Sequence, residues 1–504
     1  MDALLANLGL GFEVAFSLQN LWYCFIGVFL GTMIGVLPGI GPVATIAMLL
    51  PITFNLPPVA ALIMLAGIYY GASYGGSTTA ILVNLPGESS SVVTCMDGYQ
   101  MGKQGRAGPA LAIAAIGSFF AGCVGTMLIA LFGPPLAELA FEFGAAEYFS
   151  MMVLGLVAAV VLASGSLIKA IAMIVVGLLF GIIGTDVNSG VARYSFGISE
   201  LTDGIGFVSV AMGMFGFAEI ISNLEQKQAN RDENQISKVH SLMPTKDDLK
   251  RSVGPILRGT VIGTIFGILP GSHTVISAFS SYTLEKKLAK DPSRFGKGAI
   301  EGVAGPESAN NAAAQTGFIP LLTLGIPTGA VMALMVGAMT IQGIAPGPQV
   351  MTQKPDLFWG MIASMWIGNA MLVILNLPLI GLWVKFLTIP YRLLFPGIAL
   401  FCCIGAYSIN NSPMEVYLAA AFGLFGYFAV KWACEPAPLL LGFVLGPLME
   451  ENLRRAMLIS RGDPSVFVTR PISAGLLGTA VFLLILIMAP VIRKKRDEVL
   501  VEGD

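Results

Sequence analysis

The sequence predicts an all-α polytopic membrane protein, with about 10–12 transmembrane segments in two repeated, inverted halves that contain broken helices or re-entrant hairpins. Three observations carry this expectation. The first is composition. Of 504 residues, 55% are hydrophobic and only 12% are charged, against about 25% charged in a soluble chain. The second is where the charge lies. Val14 to Gly87 holds no Asp, Glu, Lys, Arg or His, and further charge-free runs cover 107–137, 148–168, 308–353, 357–384, 393–414 and 471–492. Lipid admits only helices or closed barrels, and barrel strands would alternate with period two. The third is a glycine–proline phrase written twice, GTMIGVLPGIGP at 31–42 and GTIFGILPGSHT at 263–274, with six of twelve positions identical.

In chain order, the N-terminus MDALLANLGLGFEVAF lacks the basic region and cleavage site of a removable signal peptide; it reads as an amphipathic lead-in. The first membrane repeat is 1–224. Its first break lies at Pro38-Gly39 and its second at LPG, 85–87. Between and beyond them, GASYGGSTTAILVNLPGESSSVVTCMDGYQ at 71–100 is too polar for a lipid-facing helix. Freed backbone groups at a break must find partners in protein, ions or water. One of Ser89, Ser90 and Ser91 is expected to cap a new helix, and the chain to surface by Asp97, Lys103 and Arg106. Glycine-rich faces at 117–125 and 177–184 suit close helix packing.

A polar linker, 225–251, divides the halves. The second repeat, 252–492, has its breaks at Pro270-Gly271 and GIPTG, 325–329, and the tail is 493–504. Lysines and arginines place linker and tail in the cytoplasm, which leaves the acidic, base-free N-terminus periplasmic. The halves then enter the bilayer from opposite sides, although charge alone also admits a parallel repeat. Pro306 is expected to start a helix, with Glu307, Asn310, Asn311, Ala314 and Gln315 on neighbouring faces. Lys169, Asp186, Lys385, Arg392, Lys431 and Glu435 fall at segment ends, where charged tips reach water. Glu450, Glu451, Arg454 and Arg455 form a helix-surface ion-pair set. The six cysteines lie mostly in apolar runs without metal or disulfide spacing.

A broken helix offers N–H groups and a positive dipole end to an anion, while freed carbonyls suit Na⁺. The breaks are almost free of Lys and Arg, so an anion would be held by dipoles, hydroxyls, amides and a co-bound cation. Candidate substrate-binding residues are Gly39, Gly41, Ser77, Thr78, Thr79, Asn84, Gly87, Ser89 and Ser90 in the first half. The second half adds Gly271, Ser272, His273, Asn310, Asn311, Thr328 and Gly329. Glu307, Asn310 and Asn84 are the candidate ion-coupling residues, with Na⁺ at the helix breaks or H⁺ as the coupling ion and no other cofactor. His273, the one histidine within a break, is either a titrating group or a structural one. Two histidines without a nucleophile–base pair or metal cluster argue against an enzyme. The absence of GxxxxGK[ST] argues against ATP as the driving force. A non-carrier channel or scaffold subunit is the alternative reading, and a net charge of −2 gives no reason to invoke nucleic acid.

The paired GxLPG elements, YYGASYGGSTTAILVNLPGE at 69–88, MDGYQM at 96–101, GPESANNAAAQTGFIPLLTLGIPTG at 305–329 and LGFVLGPLMEENLRRAM at 441–457 together resemble the large membrane subunit (TctA-type) of tripartite tricarboxylate transporters. The resemblance covers nearly the whole chain. It implies a multi-pass carrier of the bacterial inner membrane, driven by an ion gradient. The implied partners are a small four-helix membrane subunit and a periplasmic solute-binding protein delivering citrate or a related carboxylate. An elevator-type architecture is a further implication.

Overall fold

The computed structural model describes residues 2–488 except 38–39, 162, 164–165, 187–188, 226–236, 238, 240, 272, 388 and 390. Gly39, Ser272, most of the linker and the basic tail therefore lie outside the described residues. Among the described residues the regular structure is helical apart from one two-stranded ribbon, Gly184–Thr185 against Ala192–Arg193. The N-terminal helices are α1 (Asp2–Ala15), α2 (Leu18–Gly35), α3 (Pro42–Leu49) and α4 (Pro58–Val83). An irregular helical run over 89–103 leads to α5 (Ala107–Ala140), α6 (Ala145–Val161), α7 (Leu167–Gly181) and α8 (Phe207–Glu225). Beyond the linker come α9 (Lys246–Gly267), α10 (His273–Leu288), α11 (Glu301–Thr316), α12 (Phe318–Leu324) and α13 (Ala330–Ile341). The chain ends with α14 (Pro355–Asn376), α15 (Ile380–Leu387), α16 (Tyr391–Asn410), α17 (Pro413–Lys431), α18 (Pro436–Ile459) and α19 (Pro471–Met488). Among the described residues six helices are long and apolar enough to cross a membrane, and seven shorter apolar helices accompany them. This is an all-α polytopic membrane protein.

Two glycine stripes organise it. On α2, a Cβ added at Gly27, Gly31 or Gly35 would fall 2.2–2.4 Å from the carbonyl oxygens of Met64, Ile68 and Ala72 on α4. On α9, a Cβ at Gly259, Gly263 or Gly267 would fall 2.1–2.6 Å from those of Gly305, Ala309 and Ala313 on α11. Only glycine permits such approach, as in small-residue packing within membranes. In each stripe the partners advance together along the chain, so α2 runs parallel to α4 and α9 to α11. The segment between must return, α3 in one unit and α10 in the other. Between units the sense reverses. Ser77 meets Glu307, whereas Tyr69 and Tyr70, earlier on α4, lie against Phe318, later in the chain. Thus α4 runs antiparallel to α11–α12.

The second break has one geometry in both units. α4 ends in a left-handed Asn84 (φ 56°) and α12 in a left-handed Gly325 (φ 73°), each two residues before a proline, Pro86 or Pro327. Elsewhere α18 packs on α7 and α6, with α19 on α6, and α1 lies on α14 with Phe12 stacked on Trp366.

Four expectations need correction. α11 starts at Glu301, so Pro306 is internal; Asp97 receives the amides of Gly296, Gly298 and Ala299 just ahead of the helix, at 2.8–2.9 Å. Asp97 therefore does not surface: it is fully buried, with Tyr282 Oη donating to its other oxygen at 2.9 Å. The cap after the second break is Glu88 with Ser91 in a reciprocal box, in which Ser91 accepts from the Glu88 amide. Asp186 does not extend a charged tip to water; it is buried and bonded by Arg454 at 2.7 Å, beside Arg193. The 450–455 set forms the expected i,i+4 pairs, Glu450–Arg454 and Glu451–Arg455.

Candidate functional site

Hydroxyls on α4, Glu88 just after the first unit's second break, and Glu307 with two amides on α11 come together between the two units. Glu307 is 2% exposed. Its carboxylate accepts from Ser77 Oγ at 2.7 Å and from the Thr94 hydroxyl. One turn on, Asn310 Nδ2 donates to Glu88 Oε1 at 2.9 Å, and Asn311 Nδ2 donates to Ser118 Oγ on α5 at 2.7 Å. Neither Glu88 nor Glu307 has a basic partner among the described residues. Other buried acids do: Glu285 with Arg258 at 2.6 Å, Glu147 with Arg470 at 2.5 Å, Asp248 with Arg106 at 2.5 Å. A buried carboxylate met only by neutral donors is costly to keep ionised.

The breaks close on one another within each unit. Gly271 N–H donates to Thr328 O at 2.7 Å. His273 Nδ1 sits 3.1 Å from Gly271 O and 3.2 Å from Thr328 O, so this nitrogen carries the proton. Nε2 is then an acceptor, buried and without a partner. Gly329, which precedes α13, lies so near that a Cβ would stand 3.0 Å from His273 Cε1, which brings the N-terminal ends of α10 and α13 together. In the first unit Gly41 caps α3 and faces the Gly87 carbonyl, and Gly87 presses on Gly76. The units interlock crosswise: α3 packs on α13, and α10 on the turn at Ser89–Ser91.

The other candidate residues divide. Thr79 Oγ1 bonds Val36 O at 2.9 Å and so ties α4 to the first break, while Thr78 bonds back to Tyr74 O within its own helix. Ser90 is buried with an unpartnered hydroxyl. Thr328 Oγ1 lies 3.5 Å from Gly317 O. Asn84 and Ser89 are exposed, and Asn84 terminates α4 rather than joining Glu307 and Asn310. Gly39 and Ser272 fall outside the described residues.

Thr94, Ser118, Tyr74 and Asn376 were not singled out by sequence reasoning, yet they stand on or beside the carboxylates. Ser118 sits inside the glycine-rich face 117–125, a packing signal that hid its hydroxyl. Asn376 lies in a charge-free run; its only signal is an amide in apolar surroundings. No group of three or more His, Cys, Asp or Glu assembles among the described residues, and the six cysteines are free.

A family model described as "Tripartite tricarboxylate transporter TctA family" matches residues 21–441. An uncharacterized 52.8 kDa protein in the TAR-I ttuC' 3' region of Agrobacterium vitis is 62% identical over 504 residues, all of both chains. An uncharacterized protein in the TAR-II ttuC' 3' region of the same organism is 66% identical over 242 residues, 48% of this chain and all of that one. No solved structure matches.

Proposed function

Because the chain belongs to the tripartite tricarboxylate transporter TctA family, we propose that it is the large permease subunit of a secondary carrier for citrate or a related carboxylate. In this reading it works in the bacterial inner membrane. A solute-binding protein delivers substrate from the periplasm, a small four-helix subunit sits beside it, and a Na⁺ or H⁺ gradient drives uptake. The observation that carries the proposal is the antiparallel run of α4 against α11–α12, with paired helix breaks in each unit. It supports an inverted repeat, the arrangement in which secondary carriers place substrate and ions at discontinuous helices.

The substrate end is the junction of α10 and α13. There the Ser90 hydroxyl, free to donate, and His273, whose Nε2 donates to an anion only once it is protonated, stand with helix N-termini that favour negative charge. The ion end is Glu307, joined by Glu88 through Asn310. With no Lys or Arg in the cluster, a carboxylate and its coupling ion stabilise one another, so neither binds well alone. Movement of the helix-break core as a body against the surrounding helices, as in elevator carriers, would expose the site alternately. The test is uptake of labelled di- and tricarboxylates into proteoliposomes holding both membrane subunits, with the binding protein outside. Uptake that ignores imposed Na⁺ and H⁺ gradients would sink the carrier reading.

A further inference from the structure

Beside Glu307 lies a partly open cavity of about 20 Å³, room for one water or small ion and far too small for a carboxylate substrate. Its polar wall is drawn from four helices: Tyr74 and Ser77 on α4, Ser118 on α5, Glu307 on α11 and Asn376 at the end of α14. The remainder is apolar apart from Thr78, whose hydroxyl bonds back to Tyr74 O, and includes Ile81, Leu111, Ala114 and Leu377. Two wall atoms are stranded. The Tyr74 hydroxyl and Asn376 Oδ1 have no hydrogen-bond partner, though their residues are only 5% and 4% exposed. Asn376 Nδ2 donates to Leu372 O at 2.9 Å, which turns Oδ1 away as a bare acceptor. Ser118 Oγ already accepts from Asn311 and Ser77 Oγ already donates to Glu307.

We infer that this cavity is a binding site for a single dehydrated Na⁺, ligated by Glu307, Asn376 Oδ1 and the hydroxyls of Tyr74, Ser77 and Ser118. All five donors are hard oxygens, and one full negative charge faces the cavity. That set neutralises a monovalent cation and undercharges a divalent one. A water molecule would satisfy Asn376 Oδ1 but leave an ionised Glu307 uncompensated in apolar surroundings; Na⁺ answers both. Asn376 stands outside the two helix units, so ion binding joins α14 to the carboxylate of the second unit. The site's role as the coupling-ion site rests on the carrier reading above; its existence does not.

The experiment measures ²²Na⁺ binding to the purified full chain in nanodiscs by scintillation proximity, with K⁺ and choline as competitors. Wild type should bind Na⁺ in preference to K⁺. Tyr74→Phe and Asn376→Leu should each weaken Na⁺ binding about tenfold or more. Because the Tyr74 hydroxyl has no partner in the protein, Tyr74→Phe should leave the melting temperature in choline chloride unchanged or raised. Unaltered Na⁺ affinity in both variants, or no Na⁺ binding by wild type, overturns the site. Proton-driven carboxylate uptake with no Na⁺ requirement overturns the site's coupling role and leaves the proposed function standing. Variant-sensitive Na⁺ binding without carboxylate uptake under either gradient upholds the site and sinks the carrier reading.

Discussion

At the scale of single residues, Asp97 does the most for the least sequence signal. Its carboxylate gathers three backbone amides and a tyrosine hydroxyl nearly two hundred residues away and so fixes where α11 begins. Sequence reasoning sent it to the surface because Lys103 and Arg106 follow closely; the donors that bury it belong to 282–299. Asp97→Ala strands three amides and should destabilise the chain by about 3 kcal/mol or more. Asp97→Asn keeps an acceptor for the amides and should lose less. Melting temperatures in detergent compare them, and equal losses would refute the amide-clamp account. Glu307 was legible, since a carboxylate with two amides in an apolar run stands out, but its hydroxyl partners were not. Glu307→Gln keeps the shape and the Ser77 contact while removing the charge; gradient-driven uptake should fall at least about tenfold, with expression intact. At the start of α9, burial pushes the Asp248 carboxyl up, but the Arg106 guanidinium with the Thr245 amide and hydroxyl holds it below its usual value. A depressed native value means the pair stabilises above the unfolded carboxylate's titration and is lost as pH falls through the native one. The melting-temperature gap between wild type and Asp248→Asn should be full at pH 7 and shrink below about pH 4.

At the scale of elements, the repeated glycine–proline phrase was visible because identical residues recur at matched places. What it could not convey is that the glycines before each break are contact surfaces. Gly27 and Gly259 lie outside the matched dodecamers, yet each extends its stripe by one turn. The start of α11 was misplaced for a related reason. Proline at a first helical turn is the usual pattern, but a helix clamped from outside can begin earlier and absorb an internal proline. The stripes predict a sharp contrast. Gly31→Ala or Gly263→Ala drives a methyl group into a carbonyl oxygen and should destabilise by about 1–3 kcal/mol. Gly9→Ala on α1 meets nothing within 4 Å and should be neutral or stabilising by up to about 1 kcal/mol. Unfolding in denaturing detergent separates them; equal effects would refute the tight-packing account.

At the scale of the whole molecule, composition and charge spacing made the helical membrane class plain, and two interrupted halves were readable from the breaks. The relative sense of the halves was not, because charge near the segment ends admits either orientation. The contacts of Ser77 and of Tyr69–Tyr70 run α4 antiparallel to α11–α12, which is the sense the proposed inverted repeat requires. An inverted arrangement puts the N-terminus and the linker on opposite sides of the membrane. In a background without the native cysteines, Asp2→Cys should react with an impermeant maleimide in intact spheroplasts, and Ser241→Cys only after permeabilisation. Labelling of both from one side would rule out that topology. The glycine stripes bear on mechanics as well. Where backbone meets backbone with no side chain between, a helix pair has no slack: sliding one residue along replaces glycine by a bulkier neighbour and wedges the pair open. Each parallel pair is therefore a stiff girder. Compliance is left to the seam between the units, where hydroxyls, amides and carboxylates exchange partners over short distances, and a load applied to one girder reaches the carboxylates before it bends a helix.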